Sequence, residues 1–180
     1  MSVSSRVQHF WLTHFSKPAC DRLLYKLIAD GKCCNIVEIG LRDAQRTERL
    51  LNVALQFHAA EEIRYTGIDR FEAGDSSRPS LKDTHRRLRS LEIKATLAPG
   101  EPVDALKRVA TGGLSNVDLL ILSGEFAPQS LGLTWWYVPR MLSAEAVVLV
   151  QSPEAHGTFR PLAQMEIAKF AKSAPKRRAA

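Results

Sequence analysis

Asn35-Ile-Val-Glu-Ile-Gly-Leu-Arg-Asp-Ala-Gln-Arg-Thr-Glu-Arg-Leu-Leu51 changes character at Gly40. Before the glycine the run is short, rich in β-branched residues and apolar apart from Glu38, as expected of a strand buried on both faces. After it the period lengthens. Thr47, Leu50, Leu51, Ala54, Leu55 and His58 fall on one face of a helix spanning Asp43 to His58. Strand, glycine turn and helix in that order open a parallel α/β unit, in which the turn lets the backbone come close to a ligand.

The same alternation continues toward the C-terminus. Arg64–Asp69 reads as a second strand, followed by a polar loop from Phe71 to Pro79 that holds Gly74, Asp75, Ser76 and Ser77. Leu81, Thr84, Leu88 and Leu91 mark a helix, Ile93–Leu97 a third strand, and Val103–Ala110 a helix closed by Gly112-Gly113. Val117–Leu122 is a nearly all-aliphatic fourth strand. Trp135–Leu142 reads as a helix disturbed by Pro139, Ala146–Gln151 as a fifth strand and Pro161–Lys172 as a last helix.

Toward the N-terminus, Val7, Phe10, Trp11 and Phe15 share a helical face behind Ser4 or Ser5 as N-cap. A second helix runs from Pro18 to Gly31 with Ala19, Leu23, Leu24, Leu27 and Ile28 on one side. The expected architecture is therefore an α/β, Rossmann-like, doubly wound and mostly parallel sheet of about five strands. Helices cover both faces, joined by right-handed crossovers. Residues 1–34 are expected to pack as N-terminal helices, 35–172 to form the Rossmann-like domain, and 173–180 to be a basic disordered tail.

The bulk composition fits one globular domain. The 180 residues are 45% hydrophobic and 24% charged. No apolar run approaches the roughly 18–20 residues of a membrane-spanning helix, and the N-terminus lacks a small-residue cleavage site, so neither a membrane span nor a signal peptide is expected. Cys20 and the adjacent Cys33-Cys34 pair do not form a disulfide framework, which points to a reducing cytoplasm. The net charge of +6 is spread along the chain and into Lys176-Arg-Arg178. In His85-Arg-Arg-Leu-Arg89 a solvated helix face is the simpler reading. The alternative joins it with Arg70, Arg78, Lys82 and the tail into a nucleic-acid patch.

In a sheet of this kind ligands bind at the carboxyl ends of the strands, near the point where strand order reverses. After strand one stand Glu38, Gly40 and the turn to Ala44. After strand two stands Asp69, whose carboxylate suits a ribose diol. After strand three stands Pro99-Gly-Glu-Pro102, and after strand four Ser123-Gly-Glu-Phe126. The five histidines have no metal-ligand spacing, and Glu125 alone cannot hold a Mg²⁺ ion, so no metal is expected. The turn also lacks G-x-G-x-x-G, which argues against an NAD-type enzyme.

These motifs, in this order, resemble the class I S-adenosylmethionine-dependent methyltransferases, most closely their small O-methyltransferase-like branch. The resemblance runs from Ile36 to Gln151. Val37-Glu-Ile-Gly40 is similar to the first motif, Gly67-Ile-Asp69 to the second and Gly100-Glu101 to the acidic motif after strand three. Val117–Glu125 is similar to the fourth strand, and Val138–Leu142 with Val147–Val150 to the fifth-strand region. The resemblance implies S-adenosylmethionine as cofactor. It places Gly40 beside the methionine part, Asp69 at the ribose, Glu101 near the adenine amine, and Arg70 or Phe71 flanking the adenine. Glu38, Ala44 and Ser123 complete the implied cofactor set.

The chain departs from the pattern at several places, among them Phe126 for a histidine and Ser143-Ala-Glu145 for the usual Pro-Gly-Gly before strand five. Ala44 and Gln45 stand where further glycines are usual, with Arg46 following. Gln45 and Arg46 either crowd the pocket or contact the cofactor carboxylate, for which Arg46 has the right charge. Ser123 replaces the first acid after strand four. The family's hairpin of strands six and seven is expected to be missing. The implied function is methyl transfer to an unidentified acceptor, a small molecule among the possibilities. The alternative is an inactive scaffold on the same fold that pairs into a homodimer through an exposed edge after strand five.

Overall fold

The computed structural model describes residues 10–11, 15–30, 33–41, 44–73, 79–123, 126, 128–152 and 157–174. A 3-10 turn at Ala19–Asp21 leads into α1 (Arg22–Ala29). There follow β1 (Asn35–Ile39), α2 (Gln45–Ala54), β2 (Arg64–Asp69), α3 (Leu81–Arg89), β3 (Lys94–Pro99), α4 (Pro102–Thr111) and β4 (Val117–Leu122). The 3-10 segment Pro128–Trp136, kinked at Gly132, and the single helical turn α5 (Val138–Met141) precede β5 (Leu142–Gln151), β6 (Phe159–Pro161) and α6 (Gln164–Ser173).

The six strands lie in the order β3-β2-β1-β4-β5-β6. All neighbours are parallel except β5 and β6, which run antiparallel. This is the doubly wound sheet the sequence leads one to expect, with one strand more. β6 lies where the sequence suggested the start of the last helix, because Pro161 ends an edge strand, a place where a missing N–H costs no ladder bond. It pairs with Leu149–Gln151 and so covers the end of β5 on which a dimer contact was expected.

Side-chain alternation builds two cores. Val37, Ile39, Leu120, Leu122, Val148 and Val150 face one layer with Ala105, Leu106, Trp135 and Ile167. Ile36, Leu119, Ile121 and Leu149 face the other with Leu24, Ile28, Leu50, Leu51 and Leu88. β1 sits at the centre, buried along its whole length. Asp118 of β4 secures its start, accepting from the backbone N–H groups of Cys34 and Asn35 at 3.2 and 2.9 Å. Ser80 caps α3 by accepting from the Asp83 N–H at 3.0 Å, and Pro102 opens α4 where its missing N–H is harmless. Among the described residues no helix is long and apolar enough to cross a membrane.

Candidate functional site

Strand order reverses between β1 and β4, and sheets of this kind bind ligands where the carboxyl ends of such a pair part. β1 brings Glu38 and Gly40 to this point, β4 brings Ser123 and β5 brings Gln151. Glu38 is wholly buried. A carboxylate removed from water needs charged and hydroxyl partners, and it has them. Arg46 donates its Nε and Nη2 to Oε1 at 3.1 and 2.5 Å. The Thr47 hydroxyl donates to Oε2 at 2.6 Å and the Tyr65 hydroxyl to the same oxygen at 2.8 Å. The fold explains the meeting. Tyr65 is in register with Ile36, two residues before Glu38 and on the same face, and the first turn of α2 lies over that face.

Arg46 reaches beyond Glu38. Its Nη1 donates to Gln151 Oε1 at 3.1 Å, and its Nη2 donates to the Gly40 carbonyl at 3.3 Å and to Ser123 Oγ. Its Cζ lies 5.3 Å from the centre of the Phe159 ring. Burial works against the charge of Arg46, but the neighbouring Glu38 carboxylate outweighs it and holds the guanidinium above its ordinary pKa. Burial and the charge of Glu38 push the Tyr65 hydroxyl well above the usual tyrosine range, which keeps it a donor.

Two turn positions take backbone conformations suited to glycine. Gly40 has φ +86°, and a Cβ there would stand 2.9 Å from the Phe126 ring and 3.1 Å from the Ser123 Cβ. Ala44 has φ +59° and caps α2 without a side-chain hydrogen bond. Ala44 thus takes a glycine-like backbone conformation although it carries a Cβ.

Asp69, at the end of β2, is also wholly buried. It accepts from the backbone N–H of Leu41 at 2.7 Å and of Phe71 at 2.9 Å, tying the β1 turn to the β2 turn. Phe71 points inward with φ +50°, while Arg70 turns outward and donates to Glu101 at 2.7 Å. The structure therefore gathers Glu38, Gly40 and Ser123 around Arg46. It sets Ala44 at the foot of α2 and Asp69 beneath the turn, and it places Arg70 and Glu101 as a pair near the rim. Arg42, Asp43, Arg78, Gly124, Glu125, His156 and the basic tail lie outside the described residues.

Arg46 as the hub was not read from the sequence. Its charge and its place after the first motif pointed to the pocket, and its position one helical turn before Leu50 to the buried face, but neither pointed to Glu38 as its partner. A second pairing also escaped. The Cys34 thiol lies 3.2 Å from His58 Nδ1. Burial, with Asp118 and Glu62 nearby, pushes that thiol up, so it is a packed, protonated group rather than an activated nucleophile. Trp135 packs in the core, stacked on Phe170 at 4.9 Å, and Leu88 turns inward while Arg86, Arg87 and Arg89 face solvent.

No protein-family model matches the chain, and no curated protein matches it by sequence. The fold does have solved counterparts. One is the O-methyltransferase TomG of Streptomyces achromogenes, involved in tomaymycin synthesis and solved in complex with SAM. It has a TM-score of 0.56 at 14% identity, over 96% of this chain and 78% of that one. Another is the precorrin-6y C5,15-methyltransferase of Geobacter metallireducens GS-15, with a TM-score of 0.52 at 14% identity, over 88% of this chain and 70% of that one. The chain has the class I methyltransferase fold.

The fit to S-adenosylmethionine divides along the crevice. Gly40 and Ala44 have left-handed backbone conformations, and Arg70 and Glu101 are accessible. The inner acceptors are not free: with Arg46 where it lies, Gly40 O, Ser123 and Glu38 already serve a cation, and Phe126 packs against Gly40. The inner half does not accept a cofactor in this arrangement.

Proposed function

We propose that this chain binds S-adenosylmethionine at the carboxyl end of its sheet and acts as a methyltransferase-like protein on an unidentified acceptor. The observation that carries the reading is the site's topology. The strand order reverses beside Gly40 and Ala44, both with positive φ, and the neighbouring strand ends in Asp69. Likeness of fold to methyltransferases supports it. In this reading Gly40, Ala44, Glu38 and Ser123 shape the inner crevice, Asp69 shapes the ribose end by holding the backbone of Leu41 and Phe71, and Arg70 and Glu101 flank the adenine.

The cofactor would supply the chemistry, a methyl group on a sulfonium. The chain would bind, align the acceptor and exclude water. Methyl transfer makes little demand for a general base before the displacement itself, so an unassigned acid–base residue does not weigh against it. Cys20, Cys33 and Cys34 form no disulfide, in keeping with a reducing cytoplasm as its location.

Calorimetric titration with S-adenosylmethionine and S-adenosylhomocysteine tests the reading. Saturable, equimolar binding is expected. Absence of heat and of thermal stabilisation at millimolar ligand rejects it, and stabilisation by NAD instead would redirect it to a dinucleotide enzyme. Transfer of an isotope-labelled methyl group to a panel of small hydroxylated acceptors then tests turnover.

A further inference from the structure

The groups around the inner crevice converge on a single cation. Glu38 offers a carboxylate, Gly40 a carbonyl, Ser123 a hydroxyl, Gln151 an amide oxygen and Phe159 a ring face, and the Arg46 guanidinium touches them all. That set recognises positive charge by chemistry alone: oxygens with lone pairs and an aromatic quadrupole. S-Adenosylmethionine carries an ammonium beside its carboxylate and a sulfonium at the reacting centre. Its amino-acid end needs acceptors of this kind, and here they are taken by a side chain of the protein.

We propose that Arg46 is a tethered competitor for the cofactor. It holds the acceptors that a bound ammonium would use, and the cofactor enters its inner site only when the guanidinium withdraws. This rests on the reading that the crevice binds S-adenosylmethionine.

The local backbone permits the withdrawal. Arg46 lies in the first turn of α2, just after Ala44, whose left-handed conformation is costly for a residue with a Cβ. The helix start has no side-chain cap at Ala44. Among the side chains of this turn, Arg46 and Thr47 bond to Glu38, so the polar network contributes to holding it down. The network suits a competitor, since a guanidinium and an ammonium satisfy the same acceptors. Glu38 then need not lose a cationic partner when one replaces the other.

Competition has a measurable signature. When the ligand-competent state is a minor one, the apparent dissociation constant rises by the inverse of its population, so an open fraction of about 1% weakens binding roughly 100-fold. Removing the guanidinium removes that handicap.

The test is a calorimetric titration of wild type and Arg46→Met with S-adenosylmethionine and S-adenosylhomocysteine. Both ligands are expected to bind the variant at least tenfold more tightly. An unchanged or weaker constant in a folded Arg46→Met protein overturns the competitor and leaves the cofactor reading intact, provided wild type binds. Failure of both proteins to bind at millimolar ligand overturns both.

Arg46→Lys guards against a variant that does not fold. It keeps a positive charge near Glu38 but loses the planar fork, so it is expected to tighten binding by a smaller factor. No tightening there overturns the proposal as well. Methylguanidinium provides a probe that does not depend on the cofactor. It is expected to raise the melting temperature of Arg46→Met more than that of wild type, and equal shifts count against a vacated cation site.

Discussion

Two carboxylates are buried at the carboxyl end of this sheet, and they are held by different means. Glu38 is surrounded by side chains, the Arg46 guanidinium and the hydroxyls of Thr47 and Tyr65. Asp69 is held by backbone, the N–H groups of Leu41 and Phe71. Glu38 depends on residue identities that substitution can remove one at a time. Asp69 depends on the path of two turns and fixes that path in return. The first carboxylate makes a charge network that a ligand can enter; the second makes a frame around it.

The sharpest way to break the contrast is to remove the cation. Arg46→Met leaves Glu38 buried without a charged partner, and urea denaturation should show a loss of about 3–5 kcal/mol. Adding Glu38→Gln to the same chain should recover most of it, because no isolated charge then remains. A recovery of less than half would mean that Arg46 stabilises through packing rather than through the pair.

Tyr65→Phe removes one donor from the same carboxylate and should cost about 1.5–3 kcal/mol. The tyrosine also predicts a pH response. In the unfolded chain the phenol ionises near its ordinary value of 10.0, whereas the folded state keeps it protonated to higher pH. Its contribution is therefore whole below about pH 10 and is lost as pH rises from there toward the folded value. Alkaline melts should fall more steeply for wild type than for Tyr65→Phe. Parallel curves would show that Tyr65 does not govern the alkaline limit.

Asp69→Asn should cost about 1–3 kcal/mol, because an amide can offer only one oxygen to two N–H donors. A cost equal to that of Arg46→Met would erase the distinction between network and frame. At the foot of α2 the sign reverses. Ala44→Gly relieves a left-handed alanine and should stabilise the fold by up to about 1 kcal/mol. A destabilised variant would show that the alanine methyl contributes more than its strain costs. The Arg70–Glu101 pair is open to solvent, and Glu101→Ala should change stability by no more than about 1 kcal/mol.

Much of the fold could be read in advance where period and punctuation agree. β2 and β4 run as their sequences suggest, because each apolar run ends at a polar or turn residue. β5 was harder. Its first residues, Ser143 to Glu145, look like a connection, yet they are strand, and Ser143 Oγ donates to Asp118 at 3.0 Å. The helix expected over Trp135–Leu142 shortens to one turn between a 3-10 segment and the early start of β5. Strand-end residues Glu38, Gly40, Asp69 and Ser123 could be picked out because topology alone brings strand ends together. The partners of Arg46 could not. Ser123 and Gln151 lie 77 and 105 positions away, and no local pattern encodes a meeting over that distance.

The central place of β1 has a consequence for how the chain reaches this state. One of its two ladders comes from β2, nearby in sequence, but the other waits for β4, and the Asp118 carboxylate that secures Asn35 is 83 positions downstream. During synthesis the first three strands emerge while β1, buried along its whole length in the finished sheet, still shows an unpaired edge. Long-range parallel pairing is slow to form, and an open apolar edge invites pairing with other chains. The order in which this protein is made therefore sets an interval, ending only when Val117–Leu122 is available, in which self-association competes with folding.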